Sequence, residues 1–211
     1  MKITLTDAGR RFNRDWIFRH LDYEFIQGRS YAITGPNGSG KSTLLQAIGG
    51  AIGISEGAIK YGEISPDQVY RHIALAAPYL DVIEEMTVTE FLGFHRSFKP
   101  LIVDCSIEYI ITRVGLDSAA HKQIRYYSSG MKQRVKLAQA IFSDTPILLL
   151  DEPCTNLDSE GIALYRQLIR EHTDGRLVVV SSNDLQEYDF CERTISILEY
   201  KQEARRPSSA R

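Results

Sequence analysis

Cysteine is scarce in this sequence: Cys105, Cys154 and Cys191 are the only three among 211 residues. So sparse and odd a set excludes a disulfide framework and suits a reducing compartment. Long apolar runs are missing too. No stretch approaches the roughly 18 consecutive apolar residues of a membrane-spanning helix. The opening MKITLTDAGRRFNRDW lacks the apolar core of a secretory signal. Any membrane association is expected through a partner. An excess of one charge is also absent, because 25 Lys and Arg face 27 Asp and Glu, a formal net charge of −2. Proteins that coat nucleic acid are usually far more basic, so no nucleic-acid partner is expected. The five histidines form no motif, and no metal-ligand spacing surrounds Cys154. What is present is ordinary for a globular protein. Hydrophobic residues make up 43% and charged residues 25%, which excludes a mostly disordered chain and permits a real core.

Apolar segments alternate with amphipathic ones. Strands are expected at Lys2–Thr6, Leu21–Ile26, Ser30–Thr34, Ala58–Tyr61, Ile73–Ala77, Ile147–Leu150 and Leu177–Ser181. Arg193–Tyr200 reads as an edge strand or hairpin arm. Helices are expected at Lys41–Ile48, Ser129–Phe142 and Asp158–His172, with a helical region from Thr87 to about Val114 that Pro100 interrupts. The pattern predicts one α/β domain over 1–200, with a mostly parallel core sheet. An α-helical subdomain is inserted at about 86–140, and 201–211 forms a polar, frayed tail.

The strongest local signal is GPNGSGKST: Gly35, Pro36, Asn37, Gly38, Ser39, Gly40, Lys41, Ser42 and Thr43. It fits G-x-x-x-x-G-K-[ST] and lies between an expected strand and an expected helix, the context that pattern needs. Glycines let backbone N–H groups turn toward a polyanion, and the following helix adds its unpaired donors and dipole. Lys41 can reach between β and γ phosphates, and Ser42 can ligate Mg²⁺. A second signal is the apolar run Ile147–Leu150 ending in Asp151 and Glu152. Two acids directly after a buried strand are costly unless a cation or polar partner meets them. Asp151 is placed to hold Mg²⁺ through water, and Glu152 to orient or deprotonate an attacking water. The alternative is two exposed acids at a strand end.

With YSSGMKQR (Tyr127–Arg134), ILLLDEP (Ile147–Pro153) and NLD (Asn156–Asp158) in the same order, the chain resembles the nucleotide-binding subunit of an ABC (ATP-binding cassette) transporter, from about Leu5 to about Ile197. The resemblance implies a P-loop NTPase fold of ABC ATPase type with an antiparallel β part beside the parallel core, ATP and Mg²⁺ as cofactors, ATP hydrolysis, a head-to-tail dimer with a second nucleotide-binding subunit, a separate integral membrane permease, and a place at the cytoplasmic face of the membrane. The family's signature loop, LSGGQ, falls on Tyr127-Ser128-Ser129-Gly130-Met131. Ser128 and Gly130 keep the family's residues, while the other three depart. In the residues themselves, Ser128 or Ser129 is a good helix N-cap. Phe12 falls where the family has an aromatic that stacks on adenine, with Trp16 as a nearby rival. Asp158 matches a loop aspartate that crosses toward the other subunit, and it could equally cap the next helix. Two departures bear on turnover. The family's glutamine aligns with Pro78, which has neither side-chain donor nor backbone N–H. Its histidine aligns with Asn183, which donates a hydrogen bond but carries no proton. The expectation is an exporter-type ATPase, slow but hydrolytic, with Glu152, Lys41 and Asn183 as its catalytic residues. The competing readings are a soluble ATPase of the same family and an ATP-gated module that barely turns over.

Overall fold

The computed structural model describes residues 1–201; the rest of the expected tail lies outside the described residues. Two sheets form it. β1 (Lys2–Phe12) pairs antiparallel with β2 (Asp15–Ile26) and with β4 (Glu56–Lys60). β3 (Ser30–Thr34), β5 (Ile73–Ala76), β6 (Ile147–Asp151), β7 (Leu177–Ser181) and β8 (Arg193–Ser196) make a five-stranded parallel sheet in the order β5-β6-β7-β3-β8. The expected parallel core with an antiparallel part is what the chain forms.

The period-two alternation of the central strands divides the core in two. Ile147 and Leu149 of β6, with Leu177 and Val179 of β7, face α1 (Lys41–Ile48) and the antiparallel sheet. Leu148, Leu150, Val178 and Val180 face the opposite layer of helices. These strands are apolar throughout because both faces are covered. The helical layer holds α2 (Val88–Arg96), α3 (Ile107–Arg113), α4 (Ser129–Ile141) and α5 (Ser159–His172). A capping box starts α2: the Thr87 hydroxyl accepts from Glu90 N at 3.2 Å, and Thr87 N donates to the Glu90 carboxylate at 2.8 Å. Ser106 caps α3 and Asp158 caps α5, its carboxylate accepting from Gly161 N at 2.8 Å.

The structure refines the expected elements in three places. The first two strands are longer than Lys2–Thr6 and Leu21–Ile26 because bulges near Asp7, Arg10 and Arg11 break the alternation without ending the ladder. Asp7 and His20 sit at φ 45° and 56°, and the Asp7 carboxylate meets His20 Nδ1 at 2.7 Å across this kink. Of the two readings of Arg193–Tyr200 the edge strand holds, over Arg193–Ser196: β8 runs parallel to β3 at the sheet edge, and a 3₁₀ turn, Ile197–Tyr200, follows. A short helix, α6 (Leu185–Tyr188), had no periodic signal in the sequence. The parallel strands all point their carboxyl ends to one edge, where β3, β5, β6 and β7 deliver the loops of the site.

Candidate functional site

The loop from Gly35 to Gly40 leaves β3 and winds into α1. Gly40 has φ 106°, and a Cβ there would lie 2.3 Å from Ile17 Cγ2, so β2 packs directly on the loop and only glycine fits. At Gly35, φ 145°, a Cβ would fall 2.7 Å from Ile197 Cγ2 and 2.8 Å from Ser39 Oγ. The α1 N-terminus has no side-chain cap and no acid in its first turn. Its free amides and positive dipole end are thus left for an anion. Lys41 is only 4% exposed, and its Nζ donates to the Gly35 carbonyl at 2.8 Å and the Pro36 carbonyl at 3.4 Å. The ammonium is folded into the loop it closes.

Asp151 ends β6 beside this loop, 1% exposed, and its Oδ1 has no partner. Burial pushes its carboxyl above the usual range, while the neighbouring Ser181 and Ser42 hydroxyls and the Lys41 charge pull the other way. A buried carboxylate with a spare oxygen next to a serine hydroxyl is a hard, oxygen-only donor set, which fits Mg²⁺. Glu152 follows at φ 43°, a strained conformation for a non-glycine residue. Its N–H donates to Ser181 O at 2.8 Å, which anchors the turn to β7.

Glu152 lines a cleft of about 370 Å³ with Asn37, Asn183 and Glu187 among its walls. Asn183 Nδ2 donates to Asn37 Oδ1 at 2.7 Å, so the loop after β7 reaches the phosphate loop directly. Glu187, on α6, had no signal in the sequence, where it reads as one more acid of a polar turn. It is 5% exposed, and its carboxylate accepts from Cys154 N at 2.6 Å. Tyr165 on α5 donates to the Glu187 carbonyl at 2.8 Å. Burial pushes the Glu187 carboxyl up. Cys154 is a small buried residue, and burial raises its thiol out of the reactive range. Among the described residues no group of three or more His, Cys, Asp and Glu side chains forms an all-protein metal site.

The other candidate residues ride on β1, β2, the first turn of α1, α4 and the loops before α4 and after β5. Ser128, not Ser129, caps α4 and accepts from Met131 N at 3.2 Å. A Cβ on Gly130 would sit 2.9 Å from the Asn156 carbonyl, so the loop before α4 is pressed against the one before α5. Ser128, Ser129, Gly130, Arg134 and Asp158 line a second cleft of about 400 Å³ that no phosphate-loop residue borders. Phe12 ends β1 with its ring 46% exposed and the Arg10 guanidinium 4.6 Å from its centroid. The guanidiniums of Arg11 and Arg19 lie 5.5 and 4.5 Å from the centroid of the Trp16 ring. Thr43 is half-buried in the first turn of α1. Pro78 is exposed, and its carbonyl accepts from Lys136 Nζ at 2.9 Å.

Residues 18–155 match the family model described as ABC transporter. The chain is 31% identical over 194 residues to the ABC transporter ATP-binding protein YdbJ of Bacillus subtilis, covering 86% of this chain and 61% of that one. It is 32% identical over 189 residues to the cytochrome c biogenesis ATP-binding export protein CcmA of Mesorhizobium japonicum, covering 88% and 92%. Among solved structures, the ATP-binding subunit of an ABC transporter superposes with a TM-score of 0.81 at 22% identity, over 93% of this chain and 85% of that one. The dimeric bacterial ABC transporter cassette MJ0796 gives 0.79 at 24%, over 92% and 93%. These two share the fold. With its phosphate loop, its buried Asp151 and a family model matching over most of its length, the chain belongs to the ABC transporter family as an ATP-binding subunit.

Proposed function

We propose that this chain binds Mg-ATP at the carboxyl edge of its parallel sheet and hydrolyses it to drive a separate membrane permease. The observation that carries this is the buried Asp151, with an unpartnered oxygen, beside Ser42 and the loop that holds Lys41. Amides of Gly38, Ser39, Gly40 and Lys41 grip the polyphosphate, and the Lys41 ammonium leaves its loop carbonyls for phosphate oxygens. Ser42 and Asp151 would hold Mg²⁺, which would supply charge neutralisation for the phosphates. Glu152 orients a water and takes its proton as the water oxygen bonds to the γ-phosphorus. The bond from that phosphorus to the bridging oxygen breaks, and ADP departs. Asn183 donates to a γ-phosphate oxygen in exchange for its bond to Asn37. Phe12, the more exposed ring, stacks on adenine, since one guanidinium approaches it and two approach Trp16.

The cleft at Ser128 and Gly130 lies away from the phosphate loop of its own chain. Its capped helix start suits a phosphate held by another copy, which supports a head-to-tail dimer around two ATP molecules. The domain spans 1–200, with residues 86–140 as the helical subdomain facing the permease. No described helix is long and apolar enough to cross a membrane, and we place the subunit at the cytoplasmic face of its permease. The relatives named as export proteins favour an exporter. Because Asn183 carries no proton and Pro78 has no donor, turnover is slow. These same two residues favour the second reading, an ATP-gated module with almost no turnover.

The test is purification of the tagged chain from membranes. A multi-span protein should accompany it in stoichiometric amount, and the Glu152→Gln variant should elute at twice its monomer mass with Mg-ATP. A chain that remains monomeric and alone under both conditions contradicts the proposal.

A further inference from the structure

Two buried polar side chains close on a single peptide unit just after Glu152. Gln133, on α4 and 3% exposed, donates from Nε2 to the Pro153 carbonyl at 2.7 Å. Glu187, on α6 and 5% exposed, accepts from the Cys154 N–H at 2.6 Å. That carbonyl and that N–H belong to one planar trans group, so the two bonds fix it from opposite sides. A buried amide or carboxylate is costly unless so bonded, and packing alone would favour apolar residues at both positions. The peptide before Glu152 is tied as well, because Glu152 N donates to Ser181 O on β7 at 2.8 Å. Pro153 has its φ locked by its ring. Between the two anchored peptides only Glu152 φ and ψ and Pro153 ψ are left to turn. Glu152 nevertheless stands at φ 43°, a value that persists only where the surroundings over-determine it.

Resting on the Mg-ATP reading of this site, we propose that Gln133 and Glu187 are positioning residues that clamp the Pro153–Cys154 peptide and so hold Glu152 in the conformation that serves the attacking water. They act through the backbone rather than on the substrate. The clamp also joins the two clefts. α4 begins next to Ser128, in the cleft away from the phosphate loop, and α6 begins two residues after Asn183. Beyond the clamp, Asn156 sits at φ 66°, and its carbonyl is the atom that a Cβ on Gly130 would meet at 2.9 Å. A displacement of either helix therefore reaches Glu152 through one peptide.

The experiment measures phosphate release from Mg-ATP by the full chain, beside ATP affinity read from the fluorescence of Trp16, the single tryptophan. Gln133→Met and Glu187→Met keep side-chain length and remove one bond each. Each should slow release about tenfold and leave the dissociation constant for ATP within about twofold. The double variant should lose little beyond the slower single, because both bonds hold one peptide. Glu187→Gln, which still offers an oxygen to Cys154 N–H, should recover most of the loss, to within about threefold of the parent. Single variants as fast as the parent overturn the inference while leaving the site intact. Affinity that falls along with the rate, or no recovery in Glu187→Gln, also overturns it, since the residues then serve the fold at large. Should a Met variant fail to fold, amide hydrogen exchange at Cys154 decides: protection in the parent and in Glu187→Gln supports the clamp, and free exchange in the parent contradicts it. A parent no faster than Glu152→Gln overturns the reading of the site itself, and this inference with it.

Discussion

Lys41 and Asp151, at the centre of the phosphate loop and the end of β6, are 4% and 1% exposed and held from several directions. Pro78, Tyr79, Asn183 and Ser128, on the loops around them, are all exposed. The first group is set by the parallel sheet: glycines that admit no Cβ, a lysine folded into its own loop, an acid at a strand end. The second group rides on connections whose conformations rest on a few polar bonds, such as Asn183 to Asn37 and Lys136 to the Pro78 carbonyl. Gripping phosphate demands preorganised donors, whereas responding to it demands parts that move at low cost. On the proposed reading, the departures from the family pattern at Pro78 and Asn183 therefore alter speed and leave affinity alone.

Substitutions in the two groups should differ in what they change. Lys41→Ala, in the rigid group, should weaken ATP binding by about 100-fold, read by Trp16 fluorescence, because buried amides alone must then meet the polyphosphate. Retained affinity would erase the distinction. Asn183→His, in the mobile group, should raise the rate of phosphate release about tenfold and leave the dissociation constant for ATP within twofold, since an imidazole adds a proton and stronger charge stabilisation. A change in affinity of the same size would place Asn183 with the gripping residues. Phe12→Leu should weaken ATP about fivefold, and Trp16→Leu about twofold, in equilibrium dialysis against labelled ATP. The reverse order would exchange the two aromatics.

The smallest expected effect concerns the helical layer, away from both groups. His95 on α2 meets Ser143 Oγ at 2.8 Å, and burial, with the Lys99 charge nearby, pulls it down to about 4. Its folded value lies below its unfolded one, so between about pH 6.5 and 4 the unfolded state binds the extra proton. Stability should fall as pH falls through that window, by about 2 kcal/mol after allowance for partial solvent screening. Thermal melts of His95→Gln should lose this slope while ATP affinity at pH 7 is unchanged. An unaltered slope would assign the acid sensitivity elsewhere.

Much of this was legible in the sequence because the rigid group is local. A strand, a glycine loop and a helix follow one another from Ser30 to Ile48, and Asp151 directly follows four apolar residues. The strands β3 and β7 and the helix α1 run to the residues expected. What the sequence hid depends on tertiary contact. Glu187 reads as a solvated acid until α6 carries it against Cys154 and α5. The bulged outer halves of β1 and β2 carry charges, such as Arg10, Arg11 and Arg19, that mask a strand. The choice between Ser128 and Ser129 needed the hydrogen bond from Met131.

The most direct measurement is phosphate release from Mg-ATP by the purified chain beside its Glu152→Gln variant. The wild-type chain should release phosphate slowly but measurably, and the variant should bind ATP equally well and release at least about 100-fold less. Equal rates in the two proteins would contradict a hydrolytic site at the end of β6.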